Sequence, residues 1–245
     1  MPRTVVVTGG GTGLGRAIAL RFAADGDTVF VTGRRAEPLA ETVKLADGGD
    51  VHQVVCDGSD PGDVARLLAT LPEQIDVLVN NAGGNTDFDR DEPAPGDLPA
   101  LADQWRANFD ANVLTAVLTT AAVAGRLTPD SGAVISTSSI AADRGAGSYG
   151  AAKAALANWN LSAAGELGRQ GVTANVISPG YIADTEFFRD RMTDERRAHL
   201  IAETKTGRQG APTDIAETVY FLAGPGARHI TGQVVNVNGG AYTSR

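Results

Sequence analysis

The chain has 245 residues, 42% of them hydrophobic and 20% charged, which is the balance of a folded globular protein with a sizeable core and excludes a disordered chain. Its formal net charge is −8, and Lys and Arg are scattered rather than massed, so nucleic acid is not an expected partner. A lone Cys56 and the isolated His52, His199 and His229 offer neither an intramolecular disulfide nor metal-ligand spacing, so no metal site is expected.

Short β-branched runs recur at 4–8, 28–32, 51–56, 75–80, 133–137, 172–178 and 233–238, each followed by a helical pattern. Strands alternating with helices predict an α/β fold: a Rossmann-like, doubly wound parallel sheet of seven strands with helices on both faces. Runs such as VVV, VLV and AVI are continuously apolar, as strands covered on both sides should be. No linker interrupts the chain, so residues 1–245 read as one domain. No run approaches the roughly 20 apolar residues of a membrane span. An apolar strand begins almost at once with no basic leader ahead of it, and a cytoplasmic address is the default expectation. A fold of this kind binds ligands beyond the carboxyl ends of its strands.

The first run leads into TGGGTGLG, where Gly9, Gly13 and Gly15 are spaced for a tight turn into a helix. Gly11, Thr12 and Leu14 fall in the same turn. Backbone N–H groups there can approach a pyrophosphate at the positive end of the helix. The spacing G-x-x-x-G-x-G differs from the common G-x-G-x-x-G. The second run ends in Gly33, Arg34 and Arg35, where an NAD-binding unit would place an acid on the ribose hydroxyls. Without the acid, and with arginines beside it, a 2′-phosphate is favoured, which predicts NADP(H) over NAD(H). A solvated arginine pair at a helix start is the plainer alternative. Asp57, after the third run, can accept from an adenine amino group or simply start a helix.

Residues 84–99 form an acidic, Pro- and Gly-rich loop before a helix expected near Leu101. Further on, Tyr149 and Lys153 lie four residues apart and so share one helical face. A cation there can favour the phenolate of a tyrosine whose free pKa is about 10. The same spacing also fits an ordinary surface pair on an Ala-rich helix. That helix, from about 147 to 168, is apolar nearly all round, with Ala151, Ala155, Leu156, Trp159 and Leu161, which predicts burial on more than one side. Residues 181–210 read as a lid over the strand ends.

Taken together, these motifs resemble the short-chain dehydrogenase/reductase family, of the type with roughly 250 residues. TGGGTGLG resembles its cofactor turn, and NNAG, ending in Asn81, Ala82 and Gly83, resembles its motif after the fourth strand. Asn112, Ser139, Tyr149 and Lys153 are similar in context to its catalytic residues. SPGYIADT, with Pro179, Gly180, Ile182 and Thr185, resembles the segment that holds the nicotinamide carboxamide. The resemblance has two departures. Ser139 precedes Tyr149 by only ten residues, leaving Ser138 as a rival, and Asn238 stands where an acid is often found.

The resemblance implies that Tyr149 exchanges the proton, Lys153 lowers its pKa and holds the nicotinamide ribose, and Ser139 orients the carbonyl. Asn112 would position a water leading from Lys153 to solvent. It also implies substrates among 3-oxoacyl thioesters, ketones, quinones, sugars and steroids, and a homotetramer, with a dimer as the lesser form. Ile140, Tyr181, Phe187 and Phe188 are the expected, mostly apolar substrate neighbours. Arg126 and Arg169 are the candidates to meet an acidic acyl-carrier partner, although the chain's own acidity weighs against one. The rival from another class is a non-catalytic NADP(H)-binding redox sensor. A methyltransferase-like use of the fold would leave Tyr149 and Lys153 without a role.

Overall fold

The computed structural model describes residues 2–188 and 191–244. Among them, seven parallel strands form one sheet in the order β3-β2-β1-β4-β5-β6-β7. They are β1 (Thr4–Thr8), β2 (Thr28–Gly33), β3 (Val51–Val55), β4 (Val77–Asn80), β5 (Ala133–Thr137), β6 (Thr173–Pro179) and β7 (Val234–Val237). Each predicted strand is present, β1 and β5 with both ends as expected and the others with ends moved by one or two residues. The largest difference is at β4, where Ile75 is paired with Leu127 only as an isolated bridge before the ladder resumes at Val77.

Alternation along the strands sends neighbouring residues to opposite faces. Val5, Val7, Val29, Val31 and Ile135 pack with Ile18 and Phe22 of α1 (Gly13–Ala24) and with Ile215, Val219 and Leu222 of α9 (Pro212–Leu222). Val6, Leu78 and Val134 face the other way. They meet Val64 and Leu67 of α3 (Pro61–Thr70), Val123 of α5 (Thr115–Val123), and Ala163 and Leu167 of α7 (Gly147–Leu167). A helix α2 (Ala36–Leu45) lies between β2 and β3 in the chain.

The strand order reverses direction between β1 and β4, and the crevice at such a point is where this architecture receives a ligand. The chain pins that point with side chains. The Thr8 hydroxyl accepts from the N–H groups of Asn81 and Ala82, both at 3.0 Å, and the Asn81 amide donates to the carbonyls of Thr8 and Gly9.

The acidic loop after β4 is shorter than its composition predicts. Asp97 caps α4 (Leu98–Phe109) by accepting from the N–H of Ala100, so the helix begins three residues before the expected Leu101. A 3-10 turn, Thr86–Asp89, occupies part of the loop. Between α4 and α5 the helix passes through a π-helical turn, Asp110–Leu114, that carries Asn112. The lid segment also has structure. Ile182 pairs with Gly210 and α8 (Asp194–Ala202) lies between them, while residues 189 and 190 of that segment fall outside the described residues.

Candidate active site

The glycine turn is built by exclusion of side chains. A Cβ on Gly15 would stand 2.1 Å from the Gly9 carbonyl oxygen and 2.5 Å from the Asn81 amide nitrogen, and one on Gly9 would meet the Ala82 backbone at 2.9 Å. Gly9 and Gly13 both adopt positive φ, 66° and 49°. Thr12 precedes the first residue of α1 but its hydroxyl makes no capping bond, so the first-turn N–H groups have no side-chain acceptor. Around Gly13 the nearest atoms to an added Cβ are those of the Thr185 side chain, at 3.7 Å. A bare helix N-terminus with an open glycine above it fits the pyrophosphate of a dinucleotide.

Arg34 and Arg35 are exposed at the end of β2. Arg35 reaches Glu186 at 3.4 Å, with the two side chains 67% and 68% exposed. The Asp57 carboxyl accepts from the hydroxyl and the N–H of Ser59, and these bonds, aided by the Arg34 charge, hold it below the usual carboxylate range. Its oxygens are thus partly engaged within its own turn, while Asp60 is the residue that caps α3.

Beyond β5, Ser138 and Ser139 part company. The Ser138 hydroxyl donates to the Lys153 carbonyl at 3.0 Å and is buried, whereas the Ser139 hydroxyl accepts from Ala141 N–H and faces the Tyr149 phenol, whose pKa it lowers. The short interval between Ser139 and Tyr149 is closed by α6 (Ala141–Arg144) and two glycines with positive φ, Gly145 and Gly147. They turn the chain into α7 within three residues. Asn238 closes the last turn of the sheet edge, its side-chain oxygen accepting from Gly240 N–H. A Cβ on Gly180 would lie 2.7 Å from Asn238.

Tyr149 and Lys153 are 6% and 3% exposed. The Lys153 ammonium lies 5.9 Å from the Tyr149 ring centroid and donates to the Thr137 carbonyl at 2.8 Å. Burial pushes the Tyr149 phenol up to about 12, opposed by the Ser139 hydrogen bond, and pushes Lys153 down to about 7. For both groups burial is the largest cause of the shift.

The Asn112 amide is fully engaged with backbone groups. Its nitrogen donates to the carbonyls of Gly84 and Asn108, and its oxygen accepts from Gly84 N–H. It fastens the loop after β4 to the π-helical turn. A Cβ on Gly83 would meet this same amide at 2.5 Å. The Ile182 side chain is buried in the core rather than turned toward the crevice, although its carbonyl accepts from Thr185. The Ile140 N–H donates to the Pro179 carbonyl at 2.9 Å, joining the ends of β5 and β6.

The aromatic candidates gather above Tyr149. Phe187 lies 5.7 Å from it, Phe188 4.9 Å from Phe187, and Tyr181 5.7 Å from Phe188. Phe88, which no sequence pattern singles out, completes the group at 5.7 Å from Phe187. Arg126 does not present a free charge: it donates to the carbonyls of Leu68, Leu71 and Pro72 at the end of α3. Arg169 is exposed. Helix α7 is buried on one side only, since Leu161 is 57% exposed and Ala154 is also exposed.

A dinucleotide cradle beside a half-buried hydroxyl and a buried phenol and amine has the composition of a nicotinamide-dependent oxidoreductase. Residues 9–242 match the family model described as enoyl-(acyl carrier protein) reductase. The 3-oxoacyl-(acyl-carrier-protein) reductase FabG of Staphylococcus aureus is 34% identical, with 99% of each chain covered. Among solved structures, a short-chain dehydrogenase from Burkholderia cenocepacia in complex with NADP superposes with a TM-score of 0.85 at 32% identity, covering 98% of this chain and 97% of that one. A 7 alpha-hydroxysteroid dehydrogenase complexed with NADH and 7-oxo glycochenodeoxycholic acid gives a TM-score of 0.87 at 29% identity, covering 97% and 93%. The chain belongs to the short-chain dehydrogenase/reductase family, and it is an NAD(P)-dependent oxidoreductase. Among the described residues, no helix is long and apolar enough to cross a membrane.

The depressed Lys153 has a consequence for stability. Between its folded value of about 7 and its ordinary value of 10.5 the unfolded chain holds a proton that the folded chain has released, so stability rises with pH across that window. Below pH 7 both states are protonated and the cost of burying the charge is fully present. Urea unfolding at a series of pH values should give a Lys153-dependent slope approaching about 1.4 kcal/mol per pH unit. Lys153→Met should flatten it; an unchanged slope in that variant would show that Lys153 is not the titrating group.

Proposed function

We propose that this enzyme transfers hydride reversibly between NADP(H) and a carbonyl or secondary alcohol, with Tyr149 as the proton donor and acceptor. The observation that carries this reading is the convergence of Ser139, Tyr149 and Lys153 at the end of β5, beside the glycine cradle. The nicotinamide, when bound, supplies or takes the hydride. Ser139 donates to the developing oxyanion and orients the carbonyl for the phenol. Tyr149 delivers its proton to that oxygen; its high pKa opposes this loss, so a positive charge on the neighbouring Lys153 would have to stabilise the phenolate formed. When protonated, Lys153 keeps two N–H donors beyond the one given to Thr137, and these would hold the nicotinamide ribose. Asn112 keeps the loop beyond β4 against the helix that borders the site.

Tyr149→Phe removes the proton while keeping the ring. NADPH oxidation with a panel of 3-oxoacyl thioesters, ketones, diketones, quinones and keto sugars should fall by about a hundredfold or more for the turned-over class. Cofactor affinity should stay within a factor of about two. A variant that retains most of the wild-type rate would remove Tyr149 from the chemistry. Binding of NADPH with no turnover anywhere on the panel would favour the redox-sensor reading.

The cofactor is assigned as NADP(H) in preference to NAD(H) on the exposed Arg34 and Arg35, with Gly33 rather than an acid at the end of β2. A guanidinium paired with a 2′-phosphate is a strong, charge-assisted contact. Arg34→Ala should weaken NADPH by about tenfold in fluorescence titration and leave NADH nearly unchanged. Equal affinity of the wild-type protein for the two cofactors would count against the assignment.

Similarity to the FabG relative supports 3-oxoacyl thioesters as substrates to be tried. Against an acyl-carrier partner stand the net charge of −8 and the engagement of Arg126 with carbonyl oxygens. The protein is proposed to assemble as a homotetramer. Helices α4 and α7, which pack together, expose Leu98, Leu101, Trp105 and Leu161, an apolar surface suited to a second copy. Light scattering should report several times the 25.2 kDa of one chain, with a dimer the lesser form; a monomer would overturn the assembly.

A further inference from the structure

The loop after β4 and the segment after β6 meet over Tyr149, and Phe88 is the residue through which they touch. Its ring stands edge-on to Phe187 at 5.7 Å, and Phe187 in turn lies 5.7 Å from the Tyr149 ring. We propose that Phe88 is a specificity-determining wall of the substrate site, and that the site takes carbonyl compounds bearing a flat apolar group next to the carbonyl. The proposal rests on the reductase reading for what happens to such a compound, though not for its binding.

Three observations support it. The phenol of Tyr149 is covered, at 6% exposure, so a carbonyl reaches it only by taking space that Phe187 now borders. A flat apolar group entering there makes the same tilted and edge-on ring contacts that Phe88, Phe187 and Phe188 now make with one another. A small aliphatic ketone replaces few of those contacts.

Phe88 is also held in register with Tyr149 by buried polar groups. The Asp87 carboxylate accepts from the Asn108 amide at 2.6 Å and from the Ser148 hydroxyl at 3.0 Å, and Asn108 donates to Ser148 at 2.9 Å. Asn108 and Ser148 are both buried. Ser148 directly precedes Tyr149, so the loop and the phenol share one anchor. On its outer side Phe88 is covered by Arg191, whose guanidinium lies 5.0 Å from the ring and donates to the Phe88 carbonyl at 2.9 Å. Asp87 is therefore a positioning residue that acts through Phe88.

The test is calorimetric titration of naphthyl methyl ketone into the full chain saturated with NADP⁺, a form that cannot reduce a ketone. Phe88→Ala should weaken the ketone by about tenfold, and Phe88→Tyr, which keeps a flat ring, should stay within about twofold of wild type. Asp87→Ala should cause a similar loss, and the Asp87→Ala, Phe88→Ala double variant should lose little more than Phe88→Ala alone. NADP⁺ affinity should be unchanged in every variant. The proposal is overturned if the wild-type complex does not bind the ketone, if Phe88→Ala binds it as tightly, or if ketone and NADP⁺ affinities fall together. Phe88-dependent binding without NADPH-driven reduction would uphold the wall and count against the reductase reading instead.

Discussion

The ligand-binding edge depends on a close approach between two pieces of backbone. The turn after β1 and the start of α1 come so near that the place of a Gly15 side chain is already filled by the Gly9 carbonyl and the Asn81 amide. Because the gap is closed by hydrogen bonds from Asn81 and to Thr8, the end of β4 is fixed relative to the turn. That fixes in turn where the loop carrying Phe88 begins. The first-turn N–H groups of α1 stay clear because Thr12 does not cap them. The cradle and the loop beyond β4 are therefore consequences of the same contact.

A second constraint acts at the end of β5. Burying a phenol and an amine together favours the neutral form of each. The structure bonds Lys153 to the Thr137 carbonyl and sets Tyr149 beside Ser139, rather than pairing the two with each other. This arrangement leaves the pair sensitive to any charge brought into the crevice. The Thr137 and Ser178 hydroxyl oxygens, buried there without a partner, are further groups whose hydrogen-bonding capacity is unused.

The two sides of the aromatic group are held by contacts of unequal worth. On the β4 side, Asp87, Asn108 and Ser148 form a largely buried network in which losing one member strands the others, a cost of about 1–3 kcal/mol for each unsatisfied group. On the β6 side, the links across the crevice include an exposed ion pair, Arg35 at the end of β2 with Glu186, and the Thr185 side chain beside Gly13 of the cofactor turn. An exposed pair contributes about 0–1 kcal/mol. The backbone pairing of Ile182 with Gly210 anchors only the start of that segment.

How much of this was legible in the sequence follows from the range of each interaction. The strands were legible because continuous apolar runs leave little else for the chain to do between turn signals, and the cradle because glycines at fixed spacing have a steric cause. The start of α4 was misplaced because the Asp- and Pro-rich loop conceals Asp97 among several equivalent capping candidates. Phe88 was missed for a different reason: its significance comes from Asn108 and Ser148, which are 20 and 60 residues away and carry no pattern of their own. Arg126 and Arg34 make the same point in reverse. Both are arginines near helix ends, and only the carbonyl oxygens of α3, brought beside Arg126 by folding, separate a structural cation from an exposed one. A residue's type and spacing state what it can bind, and the groups that folding delivers to it decide what it does bind.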